Sequence, residues 1–420
     1  MRMAFFHNHP SGGAARAIYE LGKELAPRHQ IDVFNLTSAD EQLFPSRDYA
    51  QSVRSFPFAE RPAIRMGLYL NEWRRYSDLN RLERVYRSAA AAIDAGGYDV
   101  VLVNACRFLQ APSVLRYLVT PTVYYCHEPP RRFVQAACRA DAGPLTLYQR
   151  LRASWHAPAR KLLDGVLARR DRANFAAATA VVTNSHFTAS LVQRHYDREA
   201  QVCRLGVDTA ALQPGTSSHR NYVLSVGALE PHKGFDFVVR SVGLLPETSR
   251  PELVIVANYV NPGVESDLRR LAASHAVELR LAVGVTHQEL VSLYQGARVF
   301  AYAPHEEPFG LAALEAMACG LPVVAVAEGG VIESVRQSEN GLLTARRETD
   351  FAEALAQVLS DDALARELGE SGRRLATAEW SWKAASQRLE AHLRETAAAV
   401  PRTVASAAPP PQAAQEAGRS

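Results

Sequence analysis

The chain has 420 residues, of which 47% are hydrophobic and 22% are charged, and its formal net charge is +3. This length suits two domains better than one, and the apolar content is sufficient for well-filled cores. The small net charge gives no support to nucleic-acid binding, which needs a strongly basic surface. The five cysteines are scattered, without a CxxC or Cys/His cluster, which argues against a disulfide framework and against a structural zinc site.

The start of the chain predicts a βαβ unit. Residues 3–6 and 31–36 have the pattern of strands around a helix at 14–25, and Gly12 and Gly13 lie at the first turn. The N-terminus has no apolar signal-peptide core, and no stretch approaches the roughly 20 apolar residues of a membrane-spanning helix. We therefore expect a cytoplasmic protein, either soluble or peripheral on the inner face of the membrane.

The rest of the first half continues the alternation of strands and helices. The predicted elements are strands at 100–104, 122–126, 180–185 and 201–208, and a helix that runs from an N-cap at Ser185 to Tyr196.

Two basic segments interrupt this alternation, at 51–90 and 131–172. Together they carry eighteen Lys or Arg residues against seven acidic residues. The first also has an apolar stripe at helical spacing, formed by Leu68, Leu70, Trp73, Tyr76, Leu79, Leu82 and Val85. Such a stripe either packs on its own domain or docks on an anionic bilayer. A basic groove for an acidic oligosaccharide is a third interpretation.

The second half begins after a polar, turn-rich linker at 214–220 and repeats the same alternation. Its predicted strands are 222–227, 253–258, 279–284, 299–304 and 323–327, and its predicted helices are 234–244, 264–275, 287–296, 311–319 and the helical region 351–395. This pattern predicts an α/β fold with two Rossmann-like, doubly wound parallel-sheet domains, 1–213 and 218–379, that face each other across a cleft. The Ala/Pro/Gln-rich tail, 400–420, is predicted to be disordered.

The most informative motif is PHEEPFGLAALEAMACGLPVVAVAEGG, at residues 304–330. Glu307 lies in a loop, Glu315 lies about one turn inside the helix that follows, and Gly320 ends that helix. Backbone N–H groups at a helix start bind phosphate, and carboxylates accept hydrogen bonds from vicinal hydroxyls. The motif therefore favours a nucleotide-sugar site over two unrelated surface glutamates.

These residues resemble the retaining glycosyltransferases of family 4, the group 1 type, over about residues 1–395. The resemblance implies the GT-B fold, with a final helix at about 380–398 that crosses back onto the first, acceptor-side domain. It also implies that Glu315 binds the ribose, that Glu307 binds the hydroxyls of the donor sugar, and that Lys233 stabilises the leaving diphosphate. Backbone N–H groups of Phe309, Gly310 and Leu311 would contact sugar and phosphate.

The first domain supplies further candidates through the same resemblance. The loop at Gly12 and Gly13 would close on the diphosphate or the donor sugar, and His127 would lie near the reacting sugar. Arg16 either meets phosphate or acceptor or covers the helix face, and Glu128 and Arg131 are candidates for contact with the acceptor or the phosphate.

The chain departs from the commoner family pattern at Ala228. Many members have an arginine there, beside the lysine that corresponds to Lys233. Arg280 and Arg204 are the candidates to replace this cation. Other motif positions have mainly structural interpretations. We expect Tyr294 and Glu333 to serve in packing, Asn184, Ser185 and 206–208 to lie at the domain junction, and Asp361 to cap a helix. By the same resemblance, residues 284–286 would help to seat the base of the nucleotide.

No DxD pair lies in a metal-binding context, so we expect no metal and no cofactor besides the donor substrate. The predicted activity is transfer of a hexosyl unit from a nucleoside-diphosphate sugar to a hydroxyl of a glycan or lipid-linked acceptor, with retention of anomeric configuration. A non-catalytic GT-B binding subunit and another GT-B enzyme, such as a sugar-nucleotide epimerase, are the alternatives. A dehydrogenase is disfavoured because the turn after the first strand lacks the third glycine of the dinucleotide fingerprint.

Overall fold

The computed structural model describes residues 1–10, 12–62, 68–131, 147–215 and 222–399. Parts of the sequence predictions fall on other residues. The tail at 400–420, most of the predicted linker and the stretch 132–146 of the second basic segment lie outside the described residues.

The first half forms a parallel sheet of seven strands in the order β3-β2-β1-β4-β5-β6-β7. Its strands are β1 Arg2–Asn8, β2 Gln30–Leu36, β3 Ser52–Phe56, β4 Val100–Cys106, β5 Thr122–Cys126, β6 Ala180–Thr183 and β7 Gln201–Val202. Its helices are α1 Gly13–Leu25, α2 Leu68–Asp94, α3 Leu147–Ala176 and α4 His186–Tyr196. Every residue of β4 is buried, as expected for a central strand covered on both faces.

The second half forms a parallel sheet of six strands in the order β10-β9-β8-β11-β12-β13. Its strands are β8 Tyr222–Val226, β9 Glu252–Ala257, β10 Leu279–Val283, β11 Val299–Tyr302, β12 Val323–Val326 and β13 Gly341–Thr344. Its helices are α5 Phe235–Gly243, α6 Pro262–Ser274, α7 His287–Gly296, α8 Leu311–Ala318, α9 Glu348–Ser360 and α10 Asp362–Glu379. The predicted α/β class with two doubly wound parallel sheets is confirmed.

The last helix, α11 Trp382–Ala399, returns to the first half of the chain and packs on α1, β4 and β5. Glu390 on α11 accepts from Arg28 Nε at 3.1 Å and lies 3.1 Å from His29 Nε2. The guanidinium of Arg388 donates to the carbonyl of Arg204 at 3.1 Å. The crossing helix implied by the family resemblance is therefore present, and it joins the second half of the chain to the first sheet.

The structure differs from the predicted elements at several places. The strand predicted at 201–208 ends at Val202, because the following residues leave the sheet to meet the C-terminal segment. There Val207 N donates to Trp380 O at 2.7 Å, and a Cβ on Gly206 would lie 2.5 Å from the backbone of Ser381. The helical region predicted at 351–395 is three helices, because Asp361 and the residues around Ser381 start new ones.

Both sheets reverse their strand order at one point, between β1 and β4 in the first and between β8 and β11 in the second. In open α/β sheets the crevice at such a switch point, beyond the carboxyl ends of the strands, is where ligands bind. The loops that follow β1, β8 and β11 therefore form the candidate site.

Candidate functional site

The loop between β11 and α8 carries Glu307 and is shaped by the turn after β12. Gly330 N donates to the carbonyl of Glu307 at 2.8 Å. A Cβ on Gly330 would lie 2.2 Å from the carbonyl oxygen of Pro308, so only glycine permits this approach. The Glu-Gly-Gly turn at the end of the 304–330 motif thus fixes the backbone that presents Glu307.

The first half of the chain holds the same loop from the other side. Ser185 Oγ donates to the carbonyl of Pro308 at 2.5 Å and accepts from Thr188 N at 2.9 Å. The predicted N-cap role of Ser185 is confirmed, and the hydroxyl links α4 directly to the loop of Glu307. The neighbouring Asn184 donates to the carbonyl of His127 at 3.1 Å.

The carboxylate of Glu307 is shared by two cations from different domains. Lys233 Nζ lies 2.7 and 2.8 Å from its two oxygens, and Arg131 Nη2 lies 3.3 Å from Oε2. Burial of Glu307 favours the neutral acid, but Lys233 and then Arg131 outweigh it and lower its pKa to about 2. Glu307 is therefore an ionised carboxylate at neutral pH, held across the cleft by opposite charges.

Lys233 reaches this position through the loop after β8. Residues Pro231–Lys233 form one turn of 3-10 helix, and Gly234 follows in the left-handed conformation with φ 68°. A Cβ on Gly234 would lie 2.0 Å from the carbonyl oxygen of Ala303, at the end of β11. His305 N also donates to His232 O at 2.8 Å. The loops after β8 and β11 are thus packed together, which places Lys233 beside Glu307.

Glu315 lies on α8 and is buried, with 5% of its surface exposed to solvent. Its Oε1 pairs with the guanidinium of Arg16 on α1, and its Oε2 accepts from Tyr294 Oη at 2.8 Å. Glu315 raises the pKa of Arg16, and burial raises that of Tyr294 well above its ordinary value. Sequence reasoning assigned Tyr294 to packing alone. It is fully buried, but it also orients the Glu315 carboxylate.

The loop at Gly12 and Gly13 faces the start of α8. A Cβ on Gly13 would lie 3.5 Å from Leu311 Cδ1, whereas a Cβ on Gly12 would meet nothing within 4 Å among the described residues. The backbone of Phe309 and Gly310 precedes α8 on the opposite wall, with Gly310 as its N-cap at φ 100°. Since the first N–H groups of a helix have no partner within it, this end of α8 can receive an anion.

His127 follows β5 and is buried at the edge of the cleft. Its Nε2 lies 3.0 Å from Asn104 Oδ1, and its ring stacks on Tyr125 with 4.5 Å between centroids. Burial lowers the pKa of His127 to about 4, so the ring is neutral at pH 7. Because the amide oxygen of Asn104 can only accept, Nε2 carries the proton and Nδ1 keeps the lone pair.

Two further polar residues at this edge were missed in the sequence. His9 follows β1, is buried, and its ring lies 6.0 Å from that of His127. Its Nε2 and the Nδ2 of Asn104 have no hydrogen-bond partner among the described residues. The run HNHP at the carboxyl end of β1 was the available signal, because side chains at the carboxyl ends of neighbouring parallel strands converge.

Arg131 connects Glu128, which follows His127 in the first domain, with Glu307 in the second. Its Nε donates to Glu128 Oε2 at 2.7 Å while its Nη2 contacts Glu307. Arg280 instead pairs with Glu252 at 3.0 Å, and Arg204 with Glu333 at 3.5 Å. Neither of the two arginines expected to replace the missing cation is paired with Glu307, whereas Arg131, a candidate for contact with the acceptor or the phosphate, is.

Several other residues that the sequence analysis named make hydrogen bonds that stabilise helix ends. Thr286 caps α7 in a capping box with Glu289. The carboxylate of Glu333 accepts from Phe187 N at 3.1 Å, and that of Asp361 caps α10 as predicted. In the part of the chain that the structure describes, no group of three or more His, Cys, Asp or Glu side chains is arranged to hold a metal ion.

None of the described helices is long and apolar enough to cross a membrane.

Two family models match adjoining parts of the chain. The model described as Glycosyltransferase Family 4 matches residues 11–211, and the model described as Glycosyl transferases group 1 matches residues 209–375.

Among curated proteins, the D-inositol 3-phosphate glycosyltransferase of Corynebacterium aurimucosum is 34% identical over 233 residues, 50% of this chain and 55% of that protein. That of Acidothermus cellulolyticus is 36% identical over 216 residues, 46% of this chain and 48% of that protein. The matched region therefore amounts to about half the length of each relative.

Solved structures resemble the chain over nearly its whole length. Sucrose-phosphate synthase from Thermosynechococcus elongatus has a TM-score of 0.70 at 20% identity, and the superposition covers 95% of this chain and 100% of the synthase chain. Anabaena HepE in complex with UDP has a TM-score of 0.71 at 16% identity, and the superposition covers 94% of this chain and 100% of the HepE chain. At these identities the likeness establishes the GT-B fold alone. The family itself follows from the two family models, which together match residues 11–375: the chain belongs to the family 4 type of glycosyltransferases.

Proposed function

We propose that the protein transfers a hexosyl unit from a nucleoside-diphosphate sugar to an acceptor hydroxyl, with retention of configuration and without a metal ion. The observation that carries this proposal is the cluster of Glu307, Lys233 and Arg131 beside the start of α8. Together with Glu315 on α8, this cluster combines two cations, helix N–H groups and two carboxylates at the switch point of the second sheet. A diphosphate flanked by two polyols, the ribose and the sugar, has the complementary chemistry.

In this proposal the nucleotide lies on the second domain. Glu315 binds the ribose hydroxyls with lone pairs that Arg16 and Tyr294 leave available, since a carboxylate accepts about four hydrogen bonds. The N–H groups of Phe309, Gly310 and Leu311 contact the phosphate and sugar.

Transfer then depends on the charges around Glu307. A bound diphosphate draws Lys233 and Arg131 toward its oxygens, which stabilises the leaving group as its charge develops. Glu307 is released from that pairing to accept from the sugar hydroxyls. The leaving phosphate itself takes the proton of the acceptor, and neutral His127 lines the sugar site. The curated relatives are named as D-inositol 3-phosphate glycosyltransferases, which supports the reaction class.

A thermal-shift experiment tests donor binding. In buffer with EDTA, we expect one of UDP, GDP and ADP to raise the Tm of the full chain. Binding at 100 times the Kd adds about 2.7 kcal/mol of stability. The shift should shrink in Glu315→Gln, which removes the charged acceptor for ribose, and persist in Glu370→Gln, an exposed position on α10.

The outcome distinguishes the alternatives. No shift with any nucleotide, or a shift only after Mg²⁺ or Mn²⁺ is added, contradicts the proposed site. Nucleotide binding without transfer or hydrolysis of any donor favours a binding subunit, and conversion of the donor without an acceptor favours an epimerase.

A further inference from the structure

A single arginine joins the ends of three neighbouring strands in the second domain. Arg346 follows β13, and β11 and β12 are the next strands of the same sheet, so their carboxyl ends lie beside it. Its guanidinium donates to the carbonyls of Ala303 at 3.0 Å and Pro304 at 2.8 Å, directly after β11. Buried carbonyls that have left a strand need a new partner, and Arg346 supplies it in the segment that leads to Glu307.

The same guanidinium forms a bidentate pair with Glu328, which follows β12. Arg346 Nε lies 2.8 Å from Glu328 Oε1, and Arg346 Nη2 lies 2.7 Å from Oε2. Burial of Glu328 favours the neutral acid, but the hydrogen bonds and the charge of Arg346 outweigh it and lower the pKa of this carboxyl group. Because a guanidinium is planar, the four hydrogen bonds of Arg346 have fixed directions.

The partner of Arg346 also holds the backbone next to Glu307. The amide of Glu306 donates to the Glu328 carboxylate. Glu306 has a left-handed backbone with φ 44°, which is unfavourable for a residue with a Cβ and persists only where neighbouring groups hold it. A Cβ on Gly329 would lie 2.3 Å from the carbonyl oxygen of Glu307, so the two loops are in close contact. Arg346 and Glu328 therefore restrain the residue that directly precedes Glu307.

Arg346 also borders the loop that carries Lys233. A Cβ on Gly234 would lie 3.5 Å from Arg346 Nη1. The guanidinium carbon lies 5.4 Å from the centroid of the Phe237 ring, on the helix α5 that follows this loop. One side chain thus packs against the loops that present both Lys233 and Glu307, whose ammonium and carboxylate groups are 2.7 Å apart.

We propose that Arg346 is a positioning residue for glycosyl transfer: through its bonds to the ends of β11 and β12 it sets the distance between Lys233 and Glu307. The inference rests on the proposed function, in which these two side chains contact the diphosphate and the donor sugar. Arg346 is not a catalytic residue, since its hydrogen bonds go to protein acceptors. A misplacement of about 1 Å in a reacting group can cost about 10²-fold in rate, so turnover depends on these bonds more than nucleotide binding does.

Arg346 and its neighbour Arg347 make a matched pair of variants. The side chain of Arg347 is 71% exposed and pairs with Asp350 at the surface. With the donor nucleotide identified, Arg346→Gln should lower kcat by about tenfold to a hundredfold. Its Kd for the corresponding nucleoside monophosphate, measured by calorimetric titration, should stay unchanged, because the ribose is proposed to bind at Glu315. Arg347→Gln should leave both quantities as in the wild type.

Two further variants separate positioning from simple stabilisation. Arg346→Lys keeps a charge beside Glu328 but cannot make four directed bonds, so its kcat should lie between those of the wild type and Arg346→Gln. Glu328→Ala removes the other half of the pair and also lowers kcat, which keeps the test valid if Arg346→Gln does not fold. The double variant Arg346→Gln/Glu328→Ala should lose little more than Arg346→Gln alone, because residues that act as a unit are not additive.

Each result bears on a different statement. A wild-type kcat in folded Arg346→Gln, or an equal loss in Arg347→Gln, overturns the positioning role. A lower Tm with an unchanged kcat in the Arg346 and Glu328 variants shows a role in stability alone and also overturns it. Equal losses of kcat and of monophosphate affinity in Arg346→Gln indicate general disruption of the second domain, with the same consequence. Absence of nucleotide binding by the wild-type protein contradicts the proposed function instead, and it is recognised before any variant is compared.

Discussion

At the scale of single residues, the site is organised around the competition for Glu307. Burial alone would raise the pKa of its carboxyl group, but Lys233 and Arg131 lower it to about 2. The side chain of Glu307 is 19% exposed, so these ion pairs are shielded from solvent more than ordinary surface pairs are. In the structure one carboxylate neutralises two cations, and a diphosphate is the kind of ligand that can separate them.

The substitution at Ala228 leads to a prediction about Arg131. Arg131→Ala and Lys233→Ala should each lower kcat by about 10²–10³, the usual cost of removing one preorganised charge from a transition state. If Arg131 supplies the cation that the family resemblance leads us to expect at position 228, the double variant Arg131→Ala/Ala228→Arg should regain part of the lost activity.

Steady-state kinetics with the identified donor measure these effects, and Lys383→Ala, exposed on α11, is the control. Near-normal turnover in folded Arg131→Ala would show that the second cation is not needed. A loss that Ala228→Arg does not reverse would assign Arg131 a role other than charge compensation.

The sequence allowed the candidate residues to be named but not all their partners. Glu307, Glu315 and Lys233 lie in motifs whose local spacing is informative. The contacts of Arg16 with Glu315 and of Arg131 with Glu307 span the cleft, and no spacing within one strand or helix encodes them. His9 and Asn104 were missed for the same reason, because the order of strands in the sheet had to be known before their convergence could be seen.

At the scale of elements, long periodic segments were predictable and short or irregular ones were not. β3 has four exposed residues out of five, and β13 begins with a glycine and has only two buried residues, so neither shows a clear strand pattern. By contrast, the loop before α8 depends on contacts distant in sequence. Its backbone is set by Gly330, whose amide bonds to Glu307 and whose missing side chain leaves room for Pro308.

Gly330→Ala should therefore displace the loop that presents Glu307. The added Cβ would lie 2.2 Å from the Pro308 carbonyl, so the backbone must move. We expect a loss of about 1–3 kcal/mol in unfolding free energy together with a large fall in kcat. Gly165→Ala on α3 is the control, since a Cβ there would meet nothing within 4 Å and alanine favours a helix. Chemical denaturation and kinetics on both variants test this, and wild-type stability and kcat in Gly330→Ala would contradict it.

At the scale of the whole molecule, the two sheets were predictable because strands and helices alternate along the chain and parallel strands demand crossover helices. What could not be predicted was which part of the apolar stripe on α2 would face solvent. Leu79 and Leu82 are buried, whereas Trp73 is 64% and Tyr76 41% exposed. Among the side chains of the stripe that the structure describes, Trp73 and Tyr76 thus form an exposed half and the residues from Leu79 onward a packed half. Arg170 lies over the Tyr76 ring, 5.8 Å from its centroid.

The exposed half leads to the last prediction, that the protein associates weakly with anionic membranes. Trp73 and Tyr76 suit the interface of a bilayer, and each nearby basic residue adds about 1 kcal/mol of attraction at low ionic strength. The full chain should co-sediment with vesicles of phosphatidylcholine and phosphatidylglycerol, and less so with neutral vesicles or at high salt. Trp73→Ala/Tyr76→Ala should weaken this binding, whereas Tyr259→Ala, 50% exposed in the second half, should not. Equal recovery on neutral and anionic vesicles, or no binding at low salt, would eliminate membrane contact and leave the exposed half of α2 for another partner.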